Sequence, residues 1–278
     1  MILLAGPIGT ELGRRGFALS DRAWSAGAPL TGPMTLAQIH REYAEAGATV
    51  HIANTFRTTE RAYGPGWEDL ARLAVRLCRN ATPGHRLAGS MAPLEDCYRP
   101  DLSPPEPRDE HRSLARVLAA TEVDLLLCET FPHVGEALVA VEEAVATGRE
   151  TWVSFTAGFR GDLLTPRAVE EGARQAARRG ARAVLVNCLP ADRALAYVER
   201  LEASGVEFGA YANAGAPEEG LGWGSDPQAP QRYADFAETW IRAGATLVGG
   251  CCGTGPDHVR ELARRFLPTV PSDVSERR

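Results

Sequence analysis

Lysine is absent from the 278 residues, so all 30 positions counted as Lys plus Arg are arginine. That excludes a Schiff-base aldolase, a pyridoxal-phosphate enzyme and a P-loop nucleotide hydrolase, each of which needs a lysine amine. No run of eighteen apolar residues occurs, and the opening segment Met1 to Gly6 is short and apolar with no charged stretch before it. Neither a transmembrane helix nor a signal peptide is expected, which points to the cytoplasm. Basic surface is also lacking: 36 acidic residues against those 30 arginines leave a net charge of -6, spread along the chain. A nucleic-acid or membrane partner is therefore not expected. The six cysteines should stay reduced in that compartment and serve as ligands, nucleophiles or small core residues rather than as a disulfide framework.

What is present is a regular alternation. Apolar, β-branched runs recur at 2–6, 48–54, 86–91, 123–129, 151–157, 183–188, 207–213 and 246–252. Between them, helical spacing marks 35–46, 67–79, 133–147, 166–179, 191–203 and 229–243. Four helices run into a glycine ahead of a strand, at Gly47, Gly180, Gly205 and Gly244, where a left-handed cap turns the chain. Strict strand-helix alternation implies parallel strands with right-handed crossovers. Eight such units fit a single closed (β/α)8 TIM barrel over 1–271 better than an open doubly wound sheet, with a frayed polar tail at 272–278. The proline-rich stretch 92–108 reads as a long loop after the third strand, on the side where barrel enzymes meet substrate.

In such a barrel the active groups stand at strand ends, where Asn54, Glu129, Cys188, Asn213 and the pair Cys251–Cys252 fall. The sixth and eighth strands are separated by one strand in a closed ring, so Cys188, Cys251 and Cys252 can converge. Three thiolates make an open zinc site with a fourth position for substrate, and a thiol entering it would lose its proton to the metal. A thiol-redox pair at Cys251–Cys252 is the other reading of Gly-Gly-Cys-Cys-Gly-Thr-Gly. Its glycines remove side chains that would keep two successive cysteines from turning to one ion. Cys78, Cys97 and Cys128 read as core residues. Glu129, Asn54, Asn187 and Asn213 are the expected substrate-binding residues, although a salt bridge or a helix cap accounts equally well for Glu129. Trp24, Phe56, Tyr98, Phe131 and Trp223 fall near the rim, where aromatic faces shelter a cation.

Residues 249–255 (GGCCGTG), followed by Pro256, Asp257 and His258, together with Asn187–Cys188, resemble the zinc-dependent homocysteine S-methyltransferase family. The likeness continues at 9–12 (GTEL), 47–56 (GATVHIANTF), 89–94 (GSMAPL), 128–131 (CETF), 152–155 (WVSF) and 211–215 (YANAG), in the family's order. It implies a stand-alone barrel in which Cys188, Cys251 and Cys252 hold zinc, the homocysteine sulfur is the fourth ligand, and Glu129 binds the substrate ammonium. The implied partners are a small-molecule thiol and a methyl donor: S-methylmethionine, S-adenosylmethionine or betaine. No catalytic residue is expected beyond the metal site, because a sulfonium leaving group needs no general acid. One position departs from the family pattern. Where the family has an aspartate at the end of the first strand, this chain has Ala5, which puts the acceptor in question. A smaller departure is Ala212 in place of a proline.

Overall fold

The computed structural model describes residues 1–20, 22–214, 224 and 226–268. Its strands are β1 (Ile2–Leu3), β2 (Val50–Ile52), β3 (Arg86–Met91), β4 (Leu125–Phe131), β5 (Glu150–Phe155), β6 (Ala183–Pro190), β7 (Glu207–Asn213) and β8 (Leu247–Gly250). All neighbours pair in parallel, in the order β1-β8-β7-β6-β5-β4-β3-β2. A parallel bridge from Leu4 to Val50 joins the two ends, and the Ala5 N–H donates to the Val50 carbonyl at 2.9 Å. The sheet is thus a closed barrel, and the open-sheet alternative falls. The expected tail at 272–278 and Trp223 lie outside the described residues.

Alternation along the strands sorts side chains into two layers. Leu4, Val50, Ala88, Leu125, Leu127, Trp152, Ala183, Leu185, Tyr211 and Leu247 fill the barrel interior. Their neighbours Leu3, Leu87, Leu126, Val153, Val184, Ala210 and Val248 pack outward under the helices. Carried toward the carboxyl ends, the inward parity reaches Ser90, Glu129, Ser154, Asn187 and Asn213. A polar layer therefore caps the apolar interior.

Helices at Pro33–Glu45, Trp67–Ala81, Val134–Val145, Pro166–Arg178 and Ala229–Arg242 occupy the segments that spacing marks. The glycines at 47, 180, 205 and 244 all adopt positive φ, from 75° to 103°. The segment 191–203 is less regular: a helix at Leu195–Leu201 lies between 3-10 turns at Ala191–Arg193 and Glu202–Ser204, the tighter winding that short connections favour. Helices at Arg108–Ala119 and Pro256–Phe266 complete the outer ring. Among the described residues no helix is long and apolar enough to cross a membrane.

The amino ends of the strands hold a buried imidazole group. His40 contacts the Cys78 sulfur at 3.3 Å, and the rings of His51 and His85 meet at 3.1 Å. Burial, with the charge of nearby His51, pushes His40 down to about 3. Burial and His85 push His51 down to about 4, against the hydrogen bond to the Ala48 carbonyl. Depressed histidines stay neutral in the fold while the unfolded chain takes up protons below about pH 6.5, so their stability contribution is full above that value and lost on acidification. By about pH 4 each histidine should remove on the order of 3 kcal/mol. Urea midpoints should fall steeply from pH 7 to 4, and His40→Gln should flatten that fall; an equally steep profile in the variant would show that His40 does not set it.

Candidate active site

A cavity of about 860 Å³ opens at the carboxyl ends of the strands. Its wall includes Ala5, Asn54, Glu129, Cys188, Cys251 and Cys252, together with Trp24, Phe56, Tyr98 and Phe159. The loop after β3 supplies Leu94 to Tyr98 of that wall, as its position in a barrel predicts.

The three cysteines come together. Their sulfurs all lie within 4.8 Å of one another, and among the described residues they are the one such group of potential metal ligands. Cys188 Sγ is 2.7 Å from Cys251 Sγ and 3.9 Å from Cys252 Sγ. Hydrogen bonds from Cys188 and Cys251 hold the Cys252 thiol well below its ordinary range, against burial. The loop carrying the pair is pinned from several sides. The Cys251 N–H donates to the Ala212 carbonyl at 2.7 Å, and the Ala214 N–H to the Cys252 carbonyl at 2.9 Å. Arg14, salt-bridged to Glu11 at 2.6 Å, donates to the Thr254 carbonyl at 3.0 Å and to that of Gly253. Gly250 is required by contact, since a Cβ there would lie 2.3 Å from Thr254 Oγ1, and Gly253 by its φ of 82°.

Cys188 is not brought in by alternation. Val184 and Val186 face the helices, so the next residue of that parity should too. The chain instead takes φ 52° at Cys188, and the β6–β7 register shifts between Asn187 and Pro190. β4 repeats the device: φ is 66° at Thr130, and the β4–β5 register shifts between Cys128 and Phe131. Both strands run two residues past the ends expected at Glu129 and Cys188, because pairing resumes beyond each irregularity. Trp24, Thr130 and Cys188 are the non-glycine residues at positive φ among those described, and all three line the cavity. Backbone strain is concentrated at this site.

Asn187 sits behind the wall rather than in it. Its Oδ1 accepts from the Thr130 N–H at 3.1 Å and from Ser154 Oγ at 2.7 Å, while Nδ2 donates to Thr130 Oγ1 at 2.7 Å and toward Cys251 Sγ at 4.0 Å. Asn54 lines the cavity but locks the preceding loop, with Oδ1 accepting from Ser25 Oγ at 2.7 Å and Nδ2 donating to the Ser25 carbonyl at 2.8 Å. Asn213 is buried outside the cavity lining, and among the described residues neither polar atom of its amide has a partner. Phe131 corrects an expectation. It is fully buried against His111, with ring centroids 5.8 Å apart: simple alternation would put it on the inward face with Leu127 and Glu129, but the φ of 66° at Thr130 and the register shift between Cys128 and Phe131 turn it to the helix side. Phe159, which spacing did not single out, takes the rim position and stacks on Tyr98 at 4.2 Å. Cys128 and Cys78 are core residues, whereas Cys97 lines the cavity, its thiol pushed up by burial and by Cys188.

Residues 2–266 match the sequence profile described as Homocysteine S-methyltransferase. The chain belongs to the homocysteine S-methyltransferase family. It is 29% identical to the homocysteine S-methyltransferase YbgG of Bacillus subtilis, over 95% of this chain and 93% of that protein. Identity to the Escherichia coli homocysteine S-methyltransferase is also 29%, over 95% of both. A selenocysteine methyltransferase of Astragalus bisulcatus is 27% identical over 94% of this chain. Among solved structures, the metallated form of the E. coli homocysteine methyltransferase MmuM superposes with a TM-score of 0.79 at 25% identity, covering 95% of this chain and 96% of that one. Against the homocysteine S-methyltransferase pattern the departure at Ala5 is a departure in the cavity itself: Ala5 is buried and lines it.

Glu129 is then the remaining carboxylate at the floor. It accepts from Ser90 Oγ at 2.5 Å and Tyr211 Oη at 2.9 Å, and forms no salt bridge among the described residues. The salt-bridge and helix-cap readings of this residue therefore fail. Burial pushes its carboxyl up to about 7, against those two hydrogen bonds. Since the unfolded chain releases this proton at lower pH, the stability it lends is present below about 4.5 and lost as pH rises through 7, amounting to about 3 kcal/mol. Glu129→Gln should make the ligand-free protein more stable than the parent at pH 8 and nearly equal to it at pH 4.5. Parallel denaturation profiles across that range would show that Glu129 is ionised throughout.

Proposed function

We propose that the protein transfers a methyl group from a sulfonium or ammonium donor to the sulfur of homocysteine, forming methionine, with zinc held by Cys188, Cys251 and Cys252. The observation that carries this reading is the convergence of three sulfurs within 4.8 Å in the same cavity as a buried carboxylate that has no cationic partner among the described residues. Soft sulfur donors select zinc over the oxygen-loving divalent ions. A tetrahedron with metal–sulfur bonds near 2.3 Å has edges of about 3.8 Å, close to the Cys188–Cys252 separation of 3.9 Å, while Cys251 has to withdraw from Cys188 by about 1 Å. A zinc ion in that set supplies the Lewis acidity that holds an entering thiol as thiolate near neutral pH.

The chain's own groups do the rest. Glu129 receives the α-ammonium of the acceptor, which restores the carboxylate that burial disfavours. The Asn213 amide, buried and unpartnered among the described residues, lies just outside the cavity lining, and a ligand or bridging water that reached it would recover about 1–3 kcal/mol. Trp24, Phe56 and the stacked Tyr98–Phe159 pair line the entry with aromatic faces, which lower the energy of a cationic methyl donor and exclude water. Catalysis is activation of the nucleophile plus in-line positioning.

Metal content and exchange of single residues test the site. Freshly purified protein should contain about one zinc per chain, as an open three-cysteine site requires, and Cys188→Ala, Cys251→Ala and Cys252→Ala should each lose it, whereas Cys78→Ala and Cys97→Ala should not. Full occupancy in Cys252→Ala overturns the assignment, and a metal-free protein with a titratable disulfide favours a thiol-redox protein instead. Chelation should lower the melting temperature yet leave the barrel folded on its apolar layers.

The acceptor is tested at Glu129 and Ala5. Glu129→Gln should raise the KM for homocysteine about tenfold or more without changing zinc content. Ala5→Asp, which recreates a second carboxylate, should tighten homocysteine by up to about tenfold and weaken an amine-free thiol such as 3-mercaptopropionate. Discrimination of the opposite sign would replace homocysteine with a thiol lacking the amine.

A further inference from the structure

Three guanidiniums stand on the wall of the cysteine cavity, those of Arg22, Arg57 and Arg61. Arg61 is neutralised, with Glu95 at 2.7 Å and Glu110 at 2.5 Å. Arg57 is half-buried, lies 5.4 Å over the Phe56 ring and donates from Nη1 to the Pro93 carbonyl at 3.2 Å; it pairs with no carboxylate among the described residues. The acidic groups of the same wall are engaged elsewhere: Glu95 on Arg61, Asp96 on the Tyr98 N–H at 2.9 Å, and Glu129 on Ser90 and Tyr211. A guanidinium has five N–H donors in a fixed fork. One contact to a carbonyl leaves most of that fork without a charged partner, and a partly desolvated cation without a counter-charge is costly.

This matters because a sulfonium or ammonium donor is itself a cation. A bare cation entering this cavity meets a positive charge that cannot be titrated away, so the arrangement disfavours it unless the ligand brings its own anion. The fork geometry of arginine matches a carboxylate. We propose that Arg57 is a specificity-determining residue that binds the carboxylate of a zwitterionic substrate, so that the cavity takes amino-acid-like or betaine-like ligands and rejects their carboxyl-free counterparts. The inference rests on the methyl-transfer reading for the identity of the ligands. The carboxylate belongs to the donor or to the acceptor, and paired ligands separate the two.

The test is calorimetric binding to the zinc-loaded protein and to its Arg57→Met and Arg57→Lys variants. One ligand pair is S-methylmethionine and (3-aminopropyl)dimethylsulfonium, its decarboxylated counterpart; the other is homocysteine and 3-aminopropane-1-thiol. In the parent, the carboxylated member of one pair should bind about ten- to a hundredfold more tightly. Arg57→Met should reduce that preference to about threefold or less, and Arg57→Lys should keep part of it. A collapse within the donor pair places the carboxylate on the donor, and a collapse within the acceptor pair places it on the acceptor. Equal weakening of both members of each pair means that Arg57 only packs on Phe56, and a parent with no preference in either pair likewise overturns the proposal. Should the Arg57-dependent preference hold while no donor yields methionine from homocysteine, the methyl-transfer reading fails and the carboxylate site stands.

Discussion

The side-chain amide of Asn187 places one strand's irregularity against another's. Its oxygen holds the Thr130 N–H and its nitrogen the Thr130 hydroxyl, so the left-handed residue that follows Glu129 is fixed from β6. The next residue of its own strand, Cys188, is also left-handed, and the same Nδ2 points toward Cys251 just past the end of β8, while Oδ1 also accepts from Ser154 on β5. Non-glycine residues in that conformation cost on the order of 1–3 kcal/mol each and persist only where the surroundings over-determine them. Here the surroundings are a closed ring of parallel strands with an amide bridging three of them. The carboxylate and the sulfur cluster are therefore placed by one device, and loosening it would disturb both.

The barrel buries titratable groups at both ends, with opposite results. At the amino ends His40 and His51 are neutral far below physiological pH, so their burial is silent under working conditions. At the carboxyl ends burial holds Glu129 near 7, where either protonation state is accessible. A carboxylate without a cation lowers the stability of the empty protein, and that deficit is what a bound ammonium recovers. Stability and binding are thus set against each other in the same side chain, the usual relation at a site made for a ligand.

Much of this was legible in the residues. The alternation of apolar runs and helical spacing read out the eight-stranded ring, and the glycines at 47, 180, 205 and 244 mark its helix ends because left-handed caps favour that residue. Inward parity from Leu125 and Leu127 leads to Glu129, and from Leu247 through Gly249 to Cys251. Parity fails at Cys188: nothing in a cysteine following an asparagine signals a left-handed backbone, although the glycine-flanked pair at 251–252 supplies the need for a third sulfur. Parity fails equally at Phe131, which counts to the same face as Glu129 yet packs in the outer core because the left-handed Thr130 breaks the alternation. Asn187 looked like a ligand contact because it stands beside a metal-ligand candidate, whereas its hydrogen bonds show a buried brace. Phe159 lies in a connecting loop, where periodicity carries no information.

The absence of lysine has its consequence in the cavity. Arginine keeps its charge at any working pH, so the positive side of the wall at Arg57 is constant, while the negative side at Glu129 is not. As pH rises through about 7 the cavity passes from a state with Glu129 neutral to one with Glu129 ionised, the arginine charges unchanged. A ligand carrying both an ammonium and a carboxylate matches the second state, and on binding below that range it must displace a proton from Glu129. The pH at which such a ligand enters without proton release is therefore set by the desolvation of one carboxyl, with the guanidinium as a fixed reference.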